Sequence, residues 1–226
     1  MFFDPLYFLI IAPALLLAIW AQWRIHASYA AAQEVPAPLS GAAAARHILD
    51  SAGLHEVRIE PTPGHLTDHY DPRDRVLRLS EAVYHSRSLA AVGIAAHEAG
   101  HALQHGFGYA PLAVRNAAVP VAGFGSNASL ILLILGLILA VPALVWAGII
   151  AFSGVVFFQL VNLPVEFNAS TRAKAQLATL GIVSPQEMVY VDRVLGAAAM
   201  TYVAATLQAI LTLLYYILRF AGSSRD

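Results

Sequence analysis

The stretch Ile94-Ala95-Ala96-His97-Glu98-Ala99-Gly100-His101-Ala102-Leu103-Gln104-His105 decides how this chain is read. It contains His-Glu-x-x-His. Its alanines and Leu103 favour a helix. On a helix, His97 and His101 stand one turn apart on the same face, close enough to hold one metal ion. Glu98 would lie beside the open coordination position, where it could take a proton from water activated by the metal. The plain alternative is a chance match on an alanine-rich helix. Against it, two imidazoles and a carboxylate inside an apolar run are costly to bury without a metal to satisfy them. The stretch therefore predicts a zinc centre carried on a helix.

Composition sets the surroundings. Of 226 residues, 58% are hydrophobic and only 12% charged, far more apolar than a soluble domain and in keeping with an integral membrane protein. There is no cysteine, so disulfides and thiolate metal sites are excluded and any metal must use His, Asp or Glu. A net charge of -1 gives no general case for nucleic-acid binding. Eight of the nine histidines lie from His47 to His105, which concentrates the polar chemistry in one region.

Working upstream from the motif, Ser88 is placed to cap its helix, predicted over about Leu89–His105, and Gly106 and Gly108 stop it. Ser80 is placed to cap a helical turn through Val83. Leu66–Tyr70 and Arg75–Leu79 flank Asp71-Pro72-Arg73-Asp74, a hairpin signal. Glu56–Glu60 alternates and predicts a third strand, followed by a turn over Pro61–Gly64. Further back, Ser40 can cap a helix from Gly41 to about Ser51 that Gly53 closes. Pro36 and Pro38 mark a linker before it. Residues from about 40 to 110 thus predict a small α+β module.

The apolar runs lie on both sides of that module. Leu6 to about Trp23 has spanning length and ends in Trp20, Trp23 and Arg24, an interface anchor pattern. A signal peptide is the competing reading. No positive charge precedes the run, Asp4 does, and no clear small-residue cleavage pattern follows, so a retained anchor is expected. From Ala113 to about Val161 only Arg115 is charged. That is too long for one span and suits two, Asn116–Ala140 and Pro142–Leu163, with Val141-Pro142 as the break. One long tilted helix, with Asn116–Asn127 on the surface, is the alternative. Pro164–Lys174 continues as a helix leaving the membrane, and Gly181 breaks it. Ser184-Pro185-Gln186-Glu187 starts the next helix with a capping box. Leu195–Leu218 is the last span, with Tyr215, Tyr216 and Arg219 as its interface belt.

The expected fold is mainly α and integral to the membrane: four transmembrane helices plus a small α+β zincin-like module carrying the His-Glu-x-x-His helix. The expected divisions are a first transmembrane helix over 1–23 and the module over 24–112. A transmembrane hairpin follows over 113–163, and then a ligand-bearing helix with the start of the next over 164–194. A fourth span covers 195–219 and a tail 220–226. With four spans, residues 24–115 and 165–193 share one side. They carry eleven of the thirteen Lys and Arg, so the positive-inside rule puts the module in the cytoplasm.

A catalytic zinc usually has three protein ligands and one water. After His101 the acidic residues are Glu166, Glu187, Asp192 and Asp226. Glu166 stands at a membrane exit, and it shares a side with His97 only if residues 113–163 cross twice. The ligand argument and the hairpin argument therefore support each other. A capping charge at a helix start is the other reading of Glu166. His105, one further turn along, is a rival ligand. Three histidines on successive turns spread too far for one ion, so a supporting or surface place is expected for it. Metzincin spacing is absent, because Gln104 and Phe107 stand where its glycine and third histidine would be.

Several blocks resemble a known family: Leu66–Pro72, Leu79–His85, His97–His105, Tyr109–Leu112 and Asn162–Ser170. In these the chain resembles the YugP-like neutral zinc metallopeptidases of bacterial membranes, and the likeness covers nearly the whole chain. It implies a membrane-embedded zinc protease. The arrangement is also similar to a broader group that includes the prenyl-protein and HtpX-type membrane proteases, where a transmembrane hairpin separates the motif helix from a glutamate ligand. That group commonly has Asp four residues after the glutamate, supporting a metal-bound histidine. Ser170 stands there in this chain, with Asn168 as the other candidate support.

The expected chemistry is zinc-dependent endopeptidase hydrolysis. His97, His101 and Glu166 would hold Zn2+, and Glu98 would be the general base. His65, His69 and Tyr70 are candidates to help bear the oxyanion, with ordinary polar loop residues as the alternative reading. A strand edge near the site could hold an extended peptide. The partners expected are a peptide or membrane-protein substrate and the lipid bilayer. Oligomeric state is left open. Two other classes compete. One is a membrane protein with structural zinc or lost activity. The other is a transporter, against which the spans carry almost no charge.

Overall fold

A computed structural model describes residues 4–221; Arg225 and Asp226 of the expected tail lie outside them. The elements in order are α1 (Pro5–Gln33), α2 (Gly41–Ser51), β1 (Arg58–Thr62), β2 (His69–Asp71), β3 (Val76–Ser80), α3 (Glu81–Tyr84), α4 (Leu89–Gly106), α5 (Ala110–Ile138), α6 (Pro142–Thr179) and α7 (Met188–Ala221). Helices α1, α5, α6 and α7 are long and apolar enough to cross a membrane. The residues fall into two units. One takes in the start of the chain to Trp20, Ala113–Pro164 and the chain from Thr201 onward. The other takes in Ala21–Leu112 and Val165–Met200.

In the first unit, α5 and α6 are separate helices, as expected from the Val141-Pro142 break. Ala140 takes a left-handed φ of 52° in the connection and Pro142 opens α6. Small residues let the two helices close. A Cβ on Gly148 would stand 3.1 Å from the backbone oxygen of Ser129, and one on Gly125 only 2.6 Å from that of Ala151. Leu133, Val145 and Ile149 are buried there, with Trp146, Leu213 and Tyr216 against them. The hydroxyl of Tyr215 donates to Asp4 (2.8 Å). Most other large side chains, such as Phe124, Ile131 and Ile150, point outward. That is the pattern of helices solvated by lipid rather than water.

The second unit has a conventional buried core: Ile48 and Leu49 of α2, Leu77 and Leu79 of β3, Leu89, Val92 and Leu103 of α4, and Leu177 and Val191 from the later helices. The sheet order is β1-β3-β2. β2 and β3 form the expected antiparallel hairpin, Tyr70 opposite Leu77, and β1 lies parallel to β3. Ser40 and Ser88 cap α2 and α4 by accepting from Ala43 N and Ala91 N. At the start of α7, Ser184 and Glu187 exchange the bonds of a capping box.

Several expectations shift, among them the first strand of the hairpin, which covers His69–Asp71 and not Leu66–Tyr70. The first strand runs over 58–62, not 56–60, and takes in Pro61, which an edge strand tolerates because one side of it needs no ladder donors. Ser80 makes no cap with its side chain, because the Asp68 carboxylate claims both its amide and its hydroxyl. α1 continues ten residues past Trp23 to Gln33, and α7 begins at Met188, seven residues before Leu195. In both, hydropathy marks where the apolar stretch stops, and the helix does not stop there.

Candidate metal centre

α4 and α6 bring the three expected ligands together. His97 and His101 stack edge to face with ring centroids 4.8 Å apart. Both turn Nε2 toward the same carboxylate oxygen, Glu166 Oε2, at 3.2 Å from His97 and 3.6 Å from His101. The ligand atoms of all three lie within 4.8 Å of one another. Among the described residues this is the one group of three or more such side chains that could hold an ion. A tetrahedral ion with bonds of about 2.0–2.2 Å separates neighbouring ligand atoms by about 3.3–3.6 Å, so the donors stand close to the spacing zinc needs. His101 and Glu166 are only 7% and 6% exposed. A carboxylate so buried, facing two imidazoles, is the donor set a divalent cation satisfies.

The helices approach closely because Gly100 has no side chain. A Cβ there would lie 2.5 Å from the Ala169 carbonyl oxygen. Behind the ligands, Ser170 Oγ lies 3.1 Å from His97 Nδ1, so a hydroxyl stands on the far side of that ring. Gln104 Oε1 lies 3.0 Å from His101 Nδ1. The Gln104 amide nitrogen donates to Val165 O (2.8 Å) and Asn168 Oδ1 (3.0 Å). Asn168 is thus one residue removed from the ligand it was expected to support. The residue that touches His101 is Gln104, which the sequence reading used only to exclude metzincin spacing. Its signal was present: an amide three residues after a ligand on a helix reaches that ligand's ring.

Glu98 lies on the same helix, partly exposed. Burial pushes its carboxyl up to about 7, opposed by His97 and helped by the negative charges of Glu166 and Asp68; the Tyr70 backbone N–H donates to it. Tyr70 is therefore held beside α4 from two directions, because its hydroxyl lies 2.8 Å from His105 Nδ1. Burial pushes that hydroxyl up to about 12, so it stays a donor at neutral pH. His105 pairs with Tyr70 and stands outside the three-ligand group. His69 is exposed and its Nδ1 turns back to Thr67 O (2.7 Å). His65 is exposed in the preceding loop.

Residues 7–221 match a protein family described as "Putative neutral zinc metallopeptidase". The chain belongs to this family. It is also 47% identical over 215 residues to the "Putative membrane protease YugP" of Bacillus subtilis (strain 168), covering 94% of this chain and 95% of that one. No solved structure matches the chain. The family is one of zinc peptidases, which makes Zn2+ the cofactor, and His97, His101 and Glu166 form a group able to bind it. Peptide hydrolysis and membrane association follow from the family, the relative and the four apolar helices.

Proposed function

We propose that this protein is a membrane-embedded zinc endopeptidase that uses His97, His101 and Glu166 as ligands and Glu98 as general base. The observation that carries the reading is the convergence of two imidazole Nε2 atoms on one buried carboxylate oxygen. When bound, the ion supplies Lewis-acid activation of a water and of the scissile carbonyl. Glu98 then takes the water's proton on its carboxylate and delivers it to the leaving amine nitrogen. A carboxyl whose proton affinity sits near neutrality suits both halves of that transfer. Ser170 holds the His97 ring from behind. Tyr70, fixed between Glu98 and His105, is the donor assigned to the oxyanion; His69, turned back into its own loop, is not. The edge strand β2 is the place for an extended peptide to pair.

The excess of Lys and Arg in residues 24–115 and 165–193 favours the cytoplasm for the catalytic residues. A reporter fused after Asp226 should then be active outside, and a cytoplasmic signal would reverse the orientation. Metal analysis of the purified protein tests the core of the reading. Wild type should hold one zinc and cleave unstructured peptides until a chelator is added, and His97→Ala should do neither. Full cleavage by His97→Ala would end the proposal.

A further inference from the structure

We infer that Gln104 is the positioning residue of this centre, orienting the His101 ring so that Nε2 faces Glu166 and fixing α6 against α4. This rests on the ligand reading above. The orientation of Gln104 is dictated from two directions. Val165 O can only accept, so the amide nitrogen must face it. Arg172 Nε, which can only donate, bonds Asn168 Oδ1 at 2.8 Å. That oxygen accepts again from Gln104 Nε2 at 3.0 Å. Both anchors place the nitrogen on the same side, which leaves Oε1 facing His101 Nδ1. A carbonyl oxygen can only accept, so Nδ1 carries the proton of the neutral ring and Nε2 keeps its lone pair. That lone pair points toward Glu166 Oε2.

Position 97 differs. Ser170 Oγ faces His97 Nδ1, and a hydroxyl can donate or accept, so it does not dictate which nitrogen is protonated. One ligand is therefore preset and the other adjusts. Gln104 is itself fully buried, at 0% exposure, directly after the buried Ala102 and Leu103 of α4. Its bond to Val165 O grips the residue just before Glu166, so one side chain holds ligands on both helices. The outer end of the chain is steadied by the Arg172 guanidinium, 5.6 Å over the Tyr109 ring.

The test uses the full chain in detergent, with zinc affinity read by competition against a chromogenic chelator and geometry read from the absorption of the Co2+-substituted protein. Gln104→Met keeps volume and helix propensity but removes every hydrogen bond. It should weaken zinc binding about 10- to 100-fold and alter the cobalt spectrum, the size of effect that outer supports of metal ligands show. Asn168→Leu should shift affinity in the same direction. Asn168→Asp, which keeps the acceptor for Gln104 and Arg172, should restore it to near wild type. Should Gln104→Met fail to fold, the Asn168 pair decides. Wild-type affinity and spectrum in Gln104→Met, or equal affinities for Asn168→Leu and Asn168→Asp, would overturn the inference while leaving the ligand set intact. A wild-type protein that binds no zinc would overturn the ligand set and this inference with it.

Discussion

Gly100→Ala is the sharpest test of how the two ligand-bearing helices are held. The added methyl would sit 2.5 Å from Ala169 O, 3.1 Å from its carbonyl carbon and 3.3 Å from its Cα. All three are backbone atoms, so no side-chain rotation relieves the contact. The closest comfortable C···O approach is about 3.3 Å, so α4 and α6 must part locally by about 0.8 Å. Glu166 Oε2 stands 3.2 and 3.6 Å from its two imidazole partners. Metal bonds tolerate about 0.2 Å, so the displacement is several times what the centre can absorb. Stability moves less. Overpacking costs about 1–3 kcal/mol, and replacing a helical glycine by alanine returns about 1 kcal/mol. The expected phenotype is therefore a folded protein, melting within a few degrees of wild type in its metal-free form, whose zinc affinity has fallen at least tenfold. Chelator competition and thermal melting in detergent measure the two quantities separately. Wild-type zinc affinity in Gly100→Ala would refute the idea that close approach of these backbones sets the ligand geometry.

Glu98→Gln should retain zinc and lose peptide cleavage by about 10²- to 10⁴-fold, as removal of a general base does; near-normal turnover would remove Glu98 from the mechanism. The same variant isolates a pH effect. The Glu98 carboxyl is pushed up from 4.5 to about 7, so the folded metal-free protein binds more protons than the unfolded chain between those values. Its stability should then fall as pH rises from about 4.5 through 7 and level off above, and Glu98→Gln should lack that component of the slope; identical slopes in thermal melts would contradict the assignment. Tyr70→Phe removes the hydroxyl that meets His105 while leaving the ring and the backbone donor to Glu98. Zinc content should be unchanged and kcat should drop about 100-fold, the effect of losing one oxyanion donor; an unchanged kcat would return Tyr70 to a packing role.

The parts of this protein that could be read from sequence are those where chemistry or hydropathy leaves few options. Two histidines four apart place a ligand pair wherever a helix forms. Of the few carboxylates after His101, Glu166 is the one that stands directly at the exit of the second apolar run. The α5–α6 hairpin was legible because the uncharged stretch is too long for one span and a proline at 142 suits the first turn of a new helix. What was hidden depends on partners rather than on pattern. Ser80 has the sequence context of a cap, and nothing in that context reveals that Asp68, twelve residues earlier, takes its hydroxyl. Gln104 looks like a polar interruption of an apolar face until Val165 O and Asn168 are placed beside it.

Those contacts also explain why the candidate ligand falls at residue 166. Gly100 meets Ala169, and Gln104, one turn further along α4, meets Val165, one turn back along α6. The two contacts define a single antiparallel register, each made against an α6 backbone carbonyl and neither adjustable by a rotamer of α6. Slipping α6 by one helical turn would bring Asn162 or Ser170 to the place of Glu166, and neither carries a carboxylate. The candidate metal centre is thus specified by a helix–helix register. A missing side chain at position 100 and an amide at position 104 enforce it, with His101 one residue after the first and three before the second.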